Sequence, residues 1–248
     1  MRRLVMMLAA LSLLMGAAAY GKTNTAATKK DKMEAARVAE EKGDLARLHK
    51  DYESALSHYD SAVRVNTKSA DLYNKMGIAE LQLKDWGQAR KYFARAIKLN
   101  PQLIAALNNI GVLELLNKRY KAAVGYFKQA LALDETNAHI HLGLALAWGG
   151  LGKADYEMTE YARALELDAD VLSTSPDGVV AQVSTPEQRA IISFLTAKSL
   201  MKKGNLDGAL EFLRRAKDGR YPNMSDVYKD PVFTPLWNDP RLAKIVKR

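Results

Sequence analysis

ADLYNKMGIAELQLKDWGQARKYFARAIKLNPQL (residues 70–103) is followed without a gap by IAALNNIGVLELLNKRYKAAVGYFKQALALDETN (residues 104–137). Gly77 returns as Gly111, Ala89 as Ala123, Phe93 as Phe127 and Ala96 as Ala130, each 34 positions on. A fixed period of this size marks a row of equal supersecondary units. One such unit cannot cover its own apolar face, so neighbours must cover it for one another.

Within 70–103 the residues Tyr73, Met76 and Gly77 share one helical face. Lys84-Asp85-Trp86-Gly87 breaks the pattern, and Ala89, Phe93, Ala96 and Ile97 form the face of a second helix. Asn100-Pro101 stops it, since proline disfavours helical geometry in the residue before it. The unit is a helical hairpin in which Gly77 is expected to face Ala89, with Phe93 filling the space beyond.

The same residue classes recur on both sides. Residues 36–69 carry Gly43, Tyr52, Ala55, Tyr59 and Ala62; residues 138–171 carry Leu144-Ala145, Tyr161 and Ala164, with Glu157 where a small residue is expected. Residues 190–221 carry Ala197, Leu206, Ala209, Leu213 and Ala216. This series resembles the tetratricopeptide repeat family, in its bacterial exported type. The resemblance implies an all-α fold, a right-handed α-α superhelix, with four units at 36–69, 70–103, 104–137 and 138–171 and a fifth, similar unit at 190–221. Between them, Ser175-Pro176-Asp177-Gly178 flanked by Val171-Leu172 and Val179-Val180 reads as a hairpin or loop inserted near 171–184, within 172–189. It serves as a lid or a spacer. Residues 222–248 read as a cap: Asp230-Pro231 and Asp239-Pro240 start short helices, and Phe233, Leu236, Trp237, Leu242, Ile245 and Val246 cover the last hairpin.

Arg2-Arg3, the apolar run Leu4 to Leu14 and the small residues Gly16 to Ala19 form the three parts of a secretory signal over 1–19, with cleavage expected near Ala19. The alternative is an uncleaved inner-membrane attachment, although the run falls short of the roughly 20 residues a spanning helix needs. The expected location is periplasmic or extracellular, or anchored facing the periplasm. Residues 20–35, lysine- and threonine-rich, read as a flexible tether. The chain has no cysteine, which removes thiolate and disulfide chemistry. Its formal charge of +9 includes Arg2 and Arg3; with no contiguous basic stripe interleaved with aromatics, nucleic acid is not an expected partner.

Gly16 to Thr23 satisfies the phosphate-loop spelling G-x-x-x-x-G-K-[ST]. No strand leads in and no amphipathic helix leads out, so the match lacks the context that aims backbone amides at phosphate. His139 and His141 lie two apart on a helix and point to different faces, so they do not share a metal. No catalytic group, cofactor, metal or small-molecule substrate is expected.

What remains is a surface. At about 100° per residue, the arc opposite Tyr73, Met76 and Gly77 holds Asp71, Asn74, Lys75, Ile78 and Gln82. The resemblance implies that this arc lines a concave groove. One period on it becomes Ala105, Asn108, Asn109, Val112 and Leu116, then His139, Leu142, Gly143, Leu146 and Gly150; one period back it is Arg37, Glu40, Glu41, Asp44 and Leu48. The expected site is Asn74, Lys75, Ile78, Asn108, Asn109, Val112, Leu116, His139, Leu142 and Leu146. Asn74 and Asn108 would present an amide ladder to an extended backbone, and the aliphatic residues would accept apolar side chains or pack one unit on the next. The implied function is a non-enzymatic scaffold of the cell envelope that binds a protein or peptide, or else a permanently assembled subunit of an envelope complex. The family's clamp for acidic C-terminal peptides is not carried over, because Ile78 and Gly143 stand where it needs polar groups.

Overall fold

Helices begin at Ala70, Ile104 and Ala138, the 34-residue step of the sequence. In a computed structural model, residues 28–168, 171 and 185–247 are described. The helices are α1 (28–48), α2 (Tyr52–Val63), α3 (Ala70–Gln82), α4 (Trp86–Leu99), α5 (Ile104–Leu116), α6 (Tyr120–Leu131), α7 (Ala138–Gly150), α8 (Ala154–Leu167), α9 (Pro186–Lys202), α10 (Leu206–Asp218) and α11 (Pro240–Ile245). Two 3-10 helices, Met224–Tyr228 and Pro231–Leu236, precede the last. No strand occurs among the described residues, so the all-α class holds. The signal, the phosphate-loop spelling and nearly all of the inserted segment lie outside the described residues.

Internal contacts divide the chain after Pro101. In the first unit α3 packs against α2 and α4. In the second, α5 packs on α6, α6 on α7, and α7 on α8. The hairpin turns share one device. Lys50, Lys84, Lys118 and Gly152, again 34 apart, take φ of 61°, 65°, 57° and 68°. This left-handed position after the first helix turns the chain back; glycine, which favours it, fills it in the fourth hairpin and again as Gly204, φ 74°, after α9. Next in sequence come Asp51 and Asp85, whose carboxylates accept from the Ser54 and Gln88 amides at 3.1 and 2.9 Å. Arg119 and Lys153, at the same place in the third and fourth units, make no side-chain cap.

The core contact differs from the expected one. A Cβ on Gly77 would lie 2.5 Å from Cε1 and 2.6 Å from Cδ1 of Phe93, so the ring itself lies on the glycine. Gly43 meets Tyr59 in the same way, and Gly111 meets Phe127. Ala89 is fully buried nearby, but the close approach is helix backbone to aromatic ring. The first helix of each hairpin needs the missing side chain because a ring fills that volume at interior density.

At the N-terminal end, α1 starts at residue 28, inside the segment read as a tether over 20–35. Arg37 pairs with Glu34 one turn before it and Glu41 one turn after it, spacing that supports a helix from sequence-local contacts alone.

At the C-terminal end the 34-residue step fails. Gln188, near the start of α9, meets Glu157, near the start of α8, at 2.9 Å. Leu195, Lys198 and Lys202 share a cleft with Ala162, Leu165 and Leu167, nearer both ends. The two helices therefore run side by side in the same direction. A short turn gives antiparallel neighbours, so this parallel pair departs from the hairpin pattern. α9 is 17 residues long, pairs with α10, and closes a core of its own with the tail: Phe194, Ala197, Leu213, Ala216, Val227, Phe233, Leu236, Leu242 and Ile245. The Asp230 and Asp239 carboxylates accept from the Val232 and Arg241 amides at 3.0 and 2.8 Å, each followed by its proline. Trp237 donates from Nε1 to the Val227 carbonyl at 2.9 Å, a role within the cap.

Candidate functional site

The first helices of the third and fourth hairpins, α5 and α7, are apolar nearly all round. Ala106, Leu107, Ile110, Leu113 and Leu115 of α5 are buried, as are Ile140, Leu142, Leu144, Ala145, Leu146 and Ala147 of α7. Such a helix is covered on several sides, and only a narrow edge is left open. On α5 that edge holds Asn108, Asn109, Val112 and Leu116, all half-buried; on α7 it keeps His139. Asn108 adds a feature that sequence alone does not supply. Its Oδ1 is buried and has no hydrogen-bond partner among the described residues. A buried acceptor left in this state costs about 1–3 kcal/mol, which an incoming donor recovers.

Leu142 and Leu146, expected on the open arc, are 3% and 4% exposed and belong to the core. Gly143 and Gly150 do not thin the arc either. A Cβ on Gly143 would lie 2.6 Å from Cζ of Phe127, and one on Gly150 would strike the Tyr120 ring, so both glycines face rings of α6. The position of Leu142 is covered in the second hairpin as well, where Asn74 is also buried, so this side of the first helix packs inside the protein.

In the first unit the arc is charged and largely self-satisfied. Lys75 donates from Nζ to Glu40 Oε1 and Asp44 Oδ2, both at 2.7 Å. The Tyr59 hydroxyl donates to the other Asp44 oxygen at 2.8 Å. Burial pushes the Asp44 carboxyl up, but the hydrogen bonds from Lys75 and Tyr59 outweigh it and hold the group below its ordinary range. Asn74 is 7% exposed, and Ile78 is half-buried. Lys75 is thus a structural cation whose charge is matched inside the hairpin pair.

His141 is held through both ring nitrogens. Its Nδ1 lies 2.6 Å from Glu160 Oε2 and its Nε2 lies 3.1 Å from the Glu135 carbonyl, which ties α7 to α8 and to the preceding loop. Among the described residues no group of three or more His, Asp and Glu is placed to hold an ion. No helix of the described residues is long and apolar enough to cross a membrane.

Two features escape a reading of the periodicity. Trp148 stacks on Tyr156, with centroids 5.0 Å apart, and Lys128 Nζ lies 5.3 Å from the Trp148 ring. An aromatic in the glycine- and alanine-rich run of α7 was the available signal. The other is the cleft of about 530 Å³ between the C-terminal halves of α8 and α9. Lys198 on its wall is held by Asp230 at 2.6 Å.

The tetratricopeptide repeat profile matches residues 68–136, the two hairpins from which the period is read. These two hairpins are tetratricopeptide repeats. Solved structures of this class share the fold of the chain. MamA from Desulfovibrio magneticus RS-1, residues 41 to its end, has a TM-score of 0.54 and 20% identity over 74% of this chain and 94% of that one. Pseudomonas aeruginosa PilF has a TM-score of 0.57 and 16% identity over 81% and 87%. YrrB, described as a TPR protein with an unusual peptide-binding site, has a TM-score of 0.53 and 19% identity over 83% and 96%. At these identities the likeness is one of fold. No curated protein matches the chain. In the third hairpin an open edge and an unmet buried acceptor, Asn108 Oδ1, lie together.

Proposed function

We propose that this tetratricopeptide protein is a non-enzymatic scaffold of the cell envelope that holds a peptide or protein segment along the open edge of α5 and the adjoining His139 of α7. The observation that carries the reading is Asn108, whose amide oxygen is buried without a partner beside half-buried Asn109, Val112 and Leu116. An extended backbone offers N–H donors to such an oxygen and apolar side chains to Val112 and Leu116. YrrB, of the same fold, is described by its peptide-binding site, which supports a peptide as the ligand. The envelope assignment rests on the tripartite signal of residues 1–19.

Photo-crosslinking in the native cell tests this. A crosslinking residue at Val112 is expected to give one defined adduct, while the same residue at Gln129, exposed on α6, gives none. Equal yields at the two positions reject the face. A salt-resistant, stoichiometric complex in place of an exchangeable adduct would assign the chain as a permanent subunit.

A further inference from the structure

The joint between the fourth hairpin and the C-terminal module is built around one carboxyl group. Ala55, Ala89 and Ala123 fill the equivalent place in the first three hairpins, and all are fully buried. The fourth has Glu157, 5% exposed. Space for it comes from α7, where a Cβ on Gly149 would collide with both the Glu157 carboxyl and the Gln188 amide. Gln188 is the matching part of α9. Its Nε2 donates to Glu157 Oε1 at 2.9 Å and its Oε1 accepts from the Thr185 amide at 2.9 Å, while the Thr185 hydroxyl accepts from the Gln188 amide at 3.2 Å. The capping box that starts α9 and the bond that docks α9 on α8 are therefore one network. Gly149, Glu157 and Gln188 form a three-residue fitting at a place where the other hairpins use apolar contact.

Beside this fitting, Leu195 of α9 and Leu165 of α8 are also buried. α8 and α9 touch at their starts and are separated by the cleft of about 530 Å³ toward their ends. The module beyond closes its own core, so loosening the joint does not expose that core. We propose that Glu157 is a proton-operated latch: protonated, it locks α9 and the module it starts onto the fourth hairpin, and ionised, it loosens them.

The charge environment sets the direction. Among the described residues α9 presents the neutral Gln188 amide, α7 presents Gly149, and α8 presents Tyr161 one turn on, whose hydroxyl is buried without a partner. Among the described residues no cation acts on the carboxylate. Burial pushes the Glu157 carboxyl up, and the single hydrogen bond from Gln188 offsets only part of this. A carboxyl raised in the docked state binds its proton more tightly there than in the loosened state. Docking is then strongest below the ordinary carboxylate range and weakens as pH rises through the raised value.

Hydrogen exchange of the full chain tests the latch, read on the first two turns of α9 and referenced to α5 after correction for intrinsic rates. From pH 5 to pH 7.5 the protection of α9 is expected to fall relative to α5, by up to about tenfold for each unit by which burial raises the carboxyl. In Glu157→Gln, which keeps the bond to Gln188 and cannot ionise, the pH dependence disappears and protection stays at the acid level. Glu157→Ala leaves the site with no titrating group, so its protection is flat at a lower level. A wild-type protein whose α9 protection does not change with pH, or a Glu157→Gln variant that retains the change, overturns the proposal.

Discussion

Gly77→Ala and Gly125→Ala are the same chemical change in the middle of a helix, and the structure gives them opposite signs. At Gly125, exposed on α6, an added Cβ meets nothing within 4 Å. The substitution there gains helix propensity of about 1 kcal/mol. At Gly77 the same propensity gain is opposed by contact with Phe93, at 2.5, 2.6 and 3.0 Å from three ring atoms. Phe93 is fully buried, so the ring has no free volume to move into. Overpacking of this kind costs about 1–3 kcal/mol. The net at Gly77 is a loss of up to about 2 kcal/mol, and because the propensity gain is common to both sites the two variants should differ by about 1–3 kcal/mol. Urea denaturation followed by far-UV circular dichroism reads this as a midpoint lowered for Gly77→Ala and raised for Gly125→Ala. Phe93→Leu in the Gly77→Ala background should recover part of the loss, because it removes the atoms in conflict. If both alanine variants stabilise alike, the ring does not rest on the glycine and the reasoning about the repeat core is wrong.

Other consequences are as direct. Tyr59 and Tyr161 hold the same repeat position, but the Tyr59 hydroxyl bonds Asp44 while that of Tyr161 is buried without a partner among the described residues. Tyr161→Phe should therefore stabilise by about 1 kcal/mol and Tyr59→Phe destabilise by a similar amount, read as thermal midpoints moving in opposite directions. Lys153→Asp restores the cap that Asp51 and Asp85 provide in earlier units, and should add about 1 kcal/mol to stability in urea. Asp44, held low by its hydrogen bonds, contributes stability that is present above the ordinary carboxylate range and lost as pH falls through its depressed value. Lys75→Met should thus lower the urea midpoint at pH 7, with the gap to wild type closing in strong acid; a gap independent of pH would show that Lys75 acts through packing alone.

The hairpins could be read because their cause is local and repeated. Gly, Ala and aromatic residues at fixed spacing dictate the same packing at each turn of the period. The partner of Gly77 could not be read, since spacing places residues on a face without saying which of Ala89 and Phe93 reaches across. Leu142 and Leu146 show the limit for the site. Translation by 34 places residues on an arc without saying how much of that arc a neighbouring helix covers, and on α7 Gly143 and Gly150 lie against Phe127 and Tyr120. Glu157 was visible as an exception to the small-residue rule. Its meaning depends on Gln188, which reaches it because α9 runs parallel to α8, and no periodicity encodes that.

The central claim is that the edge of α5 holds a ligand. Its most direct test is calorimetric titration, into wild type and into Asn108→Ala/Leu116→Asp, of the segment crosslinked from position 112. The account predicts a loss of about tenfold or more in affinity, from one hydrogen bond to a buried acceptor and one apolar contact, with the circular dichroism unchanged. Equal affinity for the two proteins would contradict it.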